Sequence, residues 1–222
     1  MSNTAQFFQA LQAGDETAVQ SLLAADPSLA GAKNERGQSA ILSAVYSGRT
    51  AIRDLLLARG ATLELHEAAA AGQLGRVQEL VEGNPGLAKS YSQDGFPICA
   101  LAAFFGHRAV TEYLVAQGAD VNAVATNGTG YTALTGAVIS GHTEIVAWLL
   151  AQGAGANYRY GPGYSPLLAA AANGHLHIVK LLLEHGADLH ACTDDGQTAL
   201  LLAEARGHQS VAEFLRGRAA SA

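Results

Sequence analysis

Apolar positions come in two kinds of short run, separated by glycine. Residues 163–191 show the pattern most clearly: Gly163-Tyr164-Ser165-Pro166-Leu167, an alanine run, Gly174-His175, Ile178-Val179, Leu181-Leu182-Leu183, then Gly186-Ala187-Asp188. The first run predicts a thin helix. Ser165 can accept from amides that lack an intrahelical partner, and Pro166 suits the first helical position, where its missing N–H costs nothing. Ala169 to Ala172 let neighbouring helices approach closely. The second run predicts a helix whose apolar stripe is wide enough to face neighbours on two sides. Gly174 and Gly186 suit the left-handed conformation that ends a helix. Residues 187–196 are too polar and too short for a helix and read as an extended hairpin. One such unit cannot bury its own apolar faces, so it must stack on others.

The stacking partners are in the same chain. The pairs Gly106-His107, Gly141-His142, Gly174-His175 and Gly207-His208 follow at spacings of 35, 33 and 33 residues. Gly14-Asp15, Gly48-Arg49 and Gly72-Gln73 stand at the equivalent earlier places, which gives seven units: 3–33, 34–65, 66–89, 90–123, 124–157, 158–191 and 192–216. Val19, Leu22, Pro27 and Leu29 recur as Val77, Leu80, Pro85 and Leu87, and Gly37 and Gly48 as Gly95 and Gly106, all offset by 58. The N-terminal half therefore carries a duplicated two-unit block. Unit three has no room for a hairpin. Unit four has Pro97 where a hydroxyl cap would stand, and unit five carries a two-residue insertion around Asn127-Gly128-Thr129-Gly130. Gln6, Gln9 and Gln12 give unit one the polar outer stripe of a terminal cap. Residues 1–217 read as one array, and 218–222 as a frayed tail.

These units resemble the ankyrin repeat, with its Gly-x-Thr-Pro-Leu-His opening followed by Ala-Ala, Gly-His, Ile-Val, Leu-Leu and Gly-Ala-Asp, and with a period of 33. The resemblance implies an all-α ankyrin-repeat solenoid of stacked helix pairs, with β-hairpin fingers projecting beside a concave groove. It also implies a structural role for the four periodic histidines, and a non-catalytic module that binds another protein.

Composition narrows the partner. Hydrophobic residues make up 49% and charged residues 14%, enough for a large core. Net charge is −6, and no Lys or Arg occurs between Arg108 and Arg159, which argues against nucleic acid as the partner. No apolar run reaches membrane-spanning length. Residues 1–11 lack a basic region followed by a long apolar run, which argues against a signal peptide. Cys99 and Cys192 lie about three units apart, beyond disulfide reach at roughly 8–10 Å per helix layer. Two unpaired thiols suit a reducing compartment, so the expectation is a cytoplasmic protein; a monomer is expected. Abundant Ala and Gly with few Lys suits a bacterial source.

The chemistry on offer is aromatic. Phe96, Tyr131 and Tyr164 each follow the motif glycine on a finger. Phe104 and Phe105 end a first helix, and Tyr46 and Ile139 are equivalents of Phe104. Tyr158 and Tyr160 lie on the finger before unit six. These nine residues form the expected contact surface, centred on units four to six. The competing reading is that the finger aromatics merely pack against the next finger. Tyr113 and Trp148, on second helices, are expected in the core. No catalytic residue, metal ligand or cofactor site is assigned: His175 and His177 point to different helix faces, Ser165 and Thr198 read as caps, and no phosphate-loop or zinc-protease signature appears. A tyrosine-clasped small ligand, and an enzyme of unfamiliar type, are the alternatives from other classes.

Overall fold

The structure is a computed structural model that describes residues 2–220. The chain divides into two compact units, Met1–Arg76 and Val77–Ala222. The first holds α1 (Asn3–Ala13), α2 (Glu16–Ala25), α3 (Ala40–Tyr46), α4 (Thr50–Ala58) and α5 (Leu65–Ala70); α6 (Leu74–Gly83) crosses the division. The second holds α7 (Ile98–Phe104), α8 (Arg108–Ala116), α9 (Ala133–Ile139), α10 (Thr143–Ala151), α11 (Pro166–Ala172), α12 (Leu176–Glu184), α13 (Ala199–Ala205) and α14 (Gln209–Ala219). Two short 3-10 segments, Pro27–Gly31 and Pro85–Lys89, follow α2 and α6. The 58-residue duplication is reproduced in the bounds themselves: α2, α3 and α4 coincide with α6, α7 and α8 after that offset.

In the first unit α1 packs on α3, α3 on α5, and α2 on α4. Phe7, Phe8 and Leu11 bury one side of α1, while Gln6, Gln9 and Gln12 stay exposed on the other. In the second unit the first helices form one row, α7 on α9 on α11 on α13, and α10, α12 and α14 form another. Small residues set the spacing of the first row. Every residue of α11 is buried, and a Cβ at Gly136 of α9 would stand 3.3 Å from Cβ of Phe104 and 3.4 Å from the Ala100 carbonyl oxygen. Leu134, Leu149, Leu167, Leu168 and Ile178 are fully buried, each worth about 1.5–3 kcal/mol relative to exposure.

Hydroxyl caps open the first helices. Ser39 accepts from the amide of Leu42, Ser165 from that of Leu168, and Thr198 from that of Leu201. Thr132 and Thr135 bond reciprocally at the start of α9. Pro97 precedes α7 without a side-chain cap bond.

A recurrent glycine–imidazole contact joins successive repeats. Gly106, Gly141 and Gly174 all have positive φ, and a Cβ on each would collide with the ring of His142, His175 or His208, at 2.7, 2.8 and 2.5 Å. Each ring places Nε2 on the carbonyl two residues before that glycine: Phe104 at 2.9 Å, Ile139 at 3.4 Å, Ala172 at 3.0 Å. A carbonyl only accepts, so the proton sits on Nε2. In the first unit Arg49 takes the place of the histidine. Its guanidinium lies under Gly14 and donates to the Gln12 carbonyl at 3.1 Å.

Asparagines add a second tie between repeats. Asn122 donates to the Gly153 carbonyl and accepts from the Gly155 amide; Asn157 does the same with Gly186 and Asp188.

The fingers are shorter than full hairpins. Each is closed by a single bridge, Lys33 with Ser39, Tyr91 with Pro97, Tyr160 with Tyr164, and Cys192 with Thr198. The finger carrying the insertion closes through the Ala125 amide and the Tyr131 carbonyl at 2.8 Å. Residues 59–64 pass from α4 to α5 with no bridge among the described residues.

Two expectations need correction. The tail is not frayed from 218. α14 continues to Ala219, with Arg216 and Arg218 in its last turn, where cations favour the helix terminus. Arg216 also bonds Glu204 at 2.6 Å, and Arg218 lies over the Phe214 ring. Ser221 and Ala222 lie outside the described residues. Tyr113 and Trp148 are half-buried and are not core residues: they sit at the rim of the stripe, while Leu114 and Leu149 beside them are fully enclosed.

Candidate functional site

The aromatics of the second unit's fingers form a continuous ladder. Phe96 lies 6.5 Å from Tyr131 (ring centroids), Tyr131 meets Tyr160 edge-on at 5.3 Å, and Tyr160 lies 6.3 Å from Tyr164. Backbone chemistry sets this spacing. Gly161 and Gly163 both take positive φ and turn the finger tightly enough for Tyr160 and Tyr164 to exchange both amide–carbonyl bonds at 2.9 Å. At Gly130 a Cβ would stand 3.2 Å from Cβ of Tyr160, so a glycine there lets the two fingers close on one another.

Between this ladder and the ends of the first helices lies a hollow of about 400 Å³. Tyr131, Tyr160 and Tyr164 line its finger side, Ile139, Ala169 and Ala172 its helix side, and Asn173 and Arg206 its far end. Thr129 and Pro162 stand at the finger tips. Arg206 is held there by donating to the Ala172 carbonyl at 3.0 Å, and Asn173 by donating to Ala169 at 2.9 Å.

The three tyrosines are not equivalent. Tyr160 is 8% exposed. Burial, and then the neighbouring Tyr131 and Tyr164, push its phenol above the ordinary tyrosine range. Its hydroxyl stays protonated at any physiological pH, and its ring supports the other two. Tyr131 and Tyr164 are half-buried and present area to the hollow.

The hollow gathers Tyr131, Ile139, Tyr160 and Tyr164 from the nine expected contact residues, and it spans repeats five to seven. Phe96 stacks on Tyr131 outside the lining. Phe104, 36% exposed, packs edge-on against Phe105 at 5.0 Å, one repeat earlier. Tyr158 is elsewhere: it faces a separate hollow with Asn122, Asn157 and His185, and its hydroxyl reaches toward Gly130. Tyr46 belongs to the first unit, 41% exposed at the end of α3. Asn173 and Arg206 were not anticipated. They occupy the position before the motif glycine, the same register as Phe105, so extending that row two repeats further would have found Asn173, and three repeats further Arg206.

Cys99 and Cys192 are both free. Burial pushes the Cys99 thiol up to about 12. It borders a hollow of about 270 Å³ beside the finger of unit four, closed by Tyr91 and Pro97. Among the described residues no group of three or more His, Cys, Asp or Glu side chains could hold a metal ion, and no helix is long and apolar enough to cross a membrane.

Stacked helix pairs, bridge-closed fingers and the glycine–imidazole contact define a repeat protein. The family model described as "Ankyrin repeats (3 copies)" matches residues 65–160 and 152–221. The chain belongs to the ankyrin-repeat family. Residues 1–64 lie outside both matches. No curated protein matches the chain. Ankyrin repeats generally mediate protein–protein interaction and are typically non-catalytic.

Proposed function

We propose that the chain is a non-catalytic protein-interaction module, acting as a cytoplasmic monomer, whose partner lies along the aromatic groove that runs from the Phe96 finger to Arg206. The observation that carries this reading is the hollow itself, where Tyr131 and Tyr164 present half-buried rings on one side and Ile139 faces them on the other. Large aromatic side chains in a patch that can be freed of water contribute most to protein interfaces. Tyr160, buried between them, keeps the patch rigid, which lowers the ordering cost of binding. The edge contacts along the ladder account for part of each ring's area and leave the rest to a partner.

The test is photocrosslinking in the native host, with a benzophenone side chain in place of Tyr164 and, as control, in place of the exposed Glu213. A defined protein captured from position 164 and not from 213 is the expected result. Equal capture from both positions would refute the groove. A stoichiometric small molecule released on denaturation, with no captured protein, would replace this reading by that of a ligand-binding groove.

A further inference from the structure

The lining of the hollow carries one charge, and it is positive. Arg206 is the sole ionisable cation or carboxylate in the lining of the hollow, on a chain whose net charge is −6. Its state differs from that of the ion-paired arginines of the second unit. Arg108 is paired with Glu112 and Glu144, Arg159 with Asp194, and Arg216 with Glu204. Arg206 makes no ion pair among the described residues. Its only side-chain hydrogen bond among the described residues runs from Nη1 to the Ala172 carbonyl, the last of α11. That bond fixes one corner of a planar group with five N–H donors and leaves the others for a ligand. Glu204, two residues away, is already engaged by Arg216, and Asp194 of the same repeat by Arg159.

We propose that Arg206 receives an aspartate or glutamate side chain of an extended peptide segment of the partner, with apolar neighbours of that residue resting on Tyr131 and Tyr164. This inference rests on the groove reading above and names the chemistry of its occupant. A carboxylate matches the guanidinium fork, which can bind two oxygens at once. A phosphate group is a poorer match, because no second Lys or Arg lines the hollow to share its charge. The small residues Ala169 and Ala172 leave room for a backbone between the finger tyrosines and the helix ends.

The experiment is selection of displayed random linear peptides on the full-length protein, followed by binding measurements on the variants Arg206→Gln, Arg206→Lys, Arg206→Glu and Tyr164→Ala. The expected result is enriched peptides with Asp or Glu at one fixed position beside an apolar residue. These should bind Arg206→Gln about tenfold more weakly, retain their acidic preference on Arg206→Lys, and give way to Lys or Arg at that position when Arg206→Glu is the bait. Enriched peptides without an acidic position, or with unchanged affinity for Arg206→Gln, would overturn the inference. If those same peptides lose affinity on Tyr164→Ala, the groove reading survives alone. If they are indifferent to both substitutions, or if no peptide is enriched, both readings fall.

Discussion

A single methyl group at Gly106 tests how the repeats are joined. Gly106 has φ +83°, and an added Cβ would stand 2.7 Å from Cε1 of His142. Gly106→Ala therefore has two costs. Holding an L-residue in the left-handed region costs about 1–2 kcal/mol. Displacing the ring breaks the 2.9 Å bond to the Phe104 carbonyl, which is worth about 1 kcal/mol or more if the carbonyl is left dry. The sum is roughly 2–4 kcal/mol. Gly153 is the control: it has φ +87°, and nothing lies within 4 Å of a Cβ built there. Gly153→Ala should show the backbone cost alone, about 1–2 kcal/mol. The decisive comparison is a double-mutant cycle. With His142→Ala in place the obstacle is gone, so Gly106→Ala should now cost no more than Gly153→Ala, a coupling of about 1–2 kcal/mol. Urea unfolding followed by the fluorescence of Trp148, the chain's single tryptophan on α10, reads the affected repeat directly. Equal costs for Gly106→Ala and Gly153→Ala, with no coupling to His142, would refute the glycine–imidazole joint.

Other consequences follow from buried groups. Cys99 keeps its proton in the native state up to about pH 12, whereas an unfolded thiol releases it near 9, so the unfolded chain binds fewer protons in that window. Stability should fall as pH rises from 9 toward 12, by up to about 1.4 kcal/mol per unit from this group, and Cys99→Ala should flatten that fall; an unchanged slope would show that the thiol is not the source. A thiol reagent should label Cys192 quickly and Cys99 only as the fold opens, and equal rates would contradict the burial of Cys99. Asn157→Ala removes two bonds between repeats, at 2.8 Å each, and should destabilise by roughly 1–3 kcal/mol in thermal or urea unfolding; a loss under about 0.5 kcal/mol would mean that water replaces it fully.

The repeat architecture was legible because its signals are local. A glycine with positive φ, a hydroxyl before a helix and an alanine run each act within a few residues, and the 58-residue repetition reappears as coincident helix bounds. The purpose of the periodic glycine was legible only in part. Its left-handed turn follows from sequence, but the space it leaves for the next repeat's imidazole, or for Arg49 at Gly14, depends on contacts some 35 residues away. The groove was legible on its finger side for the same reason that the fingers were. It failed at Tyr158, which was grouped with Tyr160 on one finger: its hydroxyl instead reaches toward Gly130 and its ring borders a separate hollow. It failed again at Arg206, because attention to aromatics passed over a polar residue in the same register as Phe105. Tyr113 and Trp148 were misplaced because an apolar stripe does not reveal where its rim lies.

The central claim is that the tyrosine-lined face of the second unit is where a partner docks. Amide hydrogen exchange on the full chain, with and without the protein captured from position 164, tests it most directly. The account predicts new protection confined to the fingers around Tyr131 and residues 160–164 and to the end of α11 at Ala172. Protection confined to α10 and α12, with the fingers exchanging as in the free chain, would contradict it.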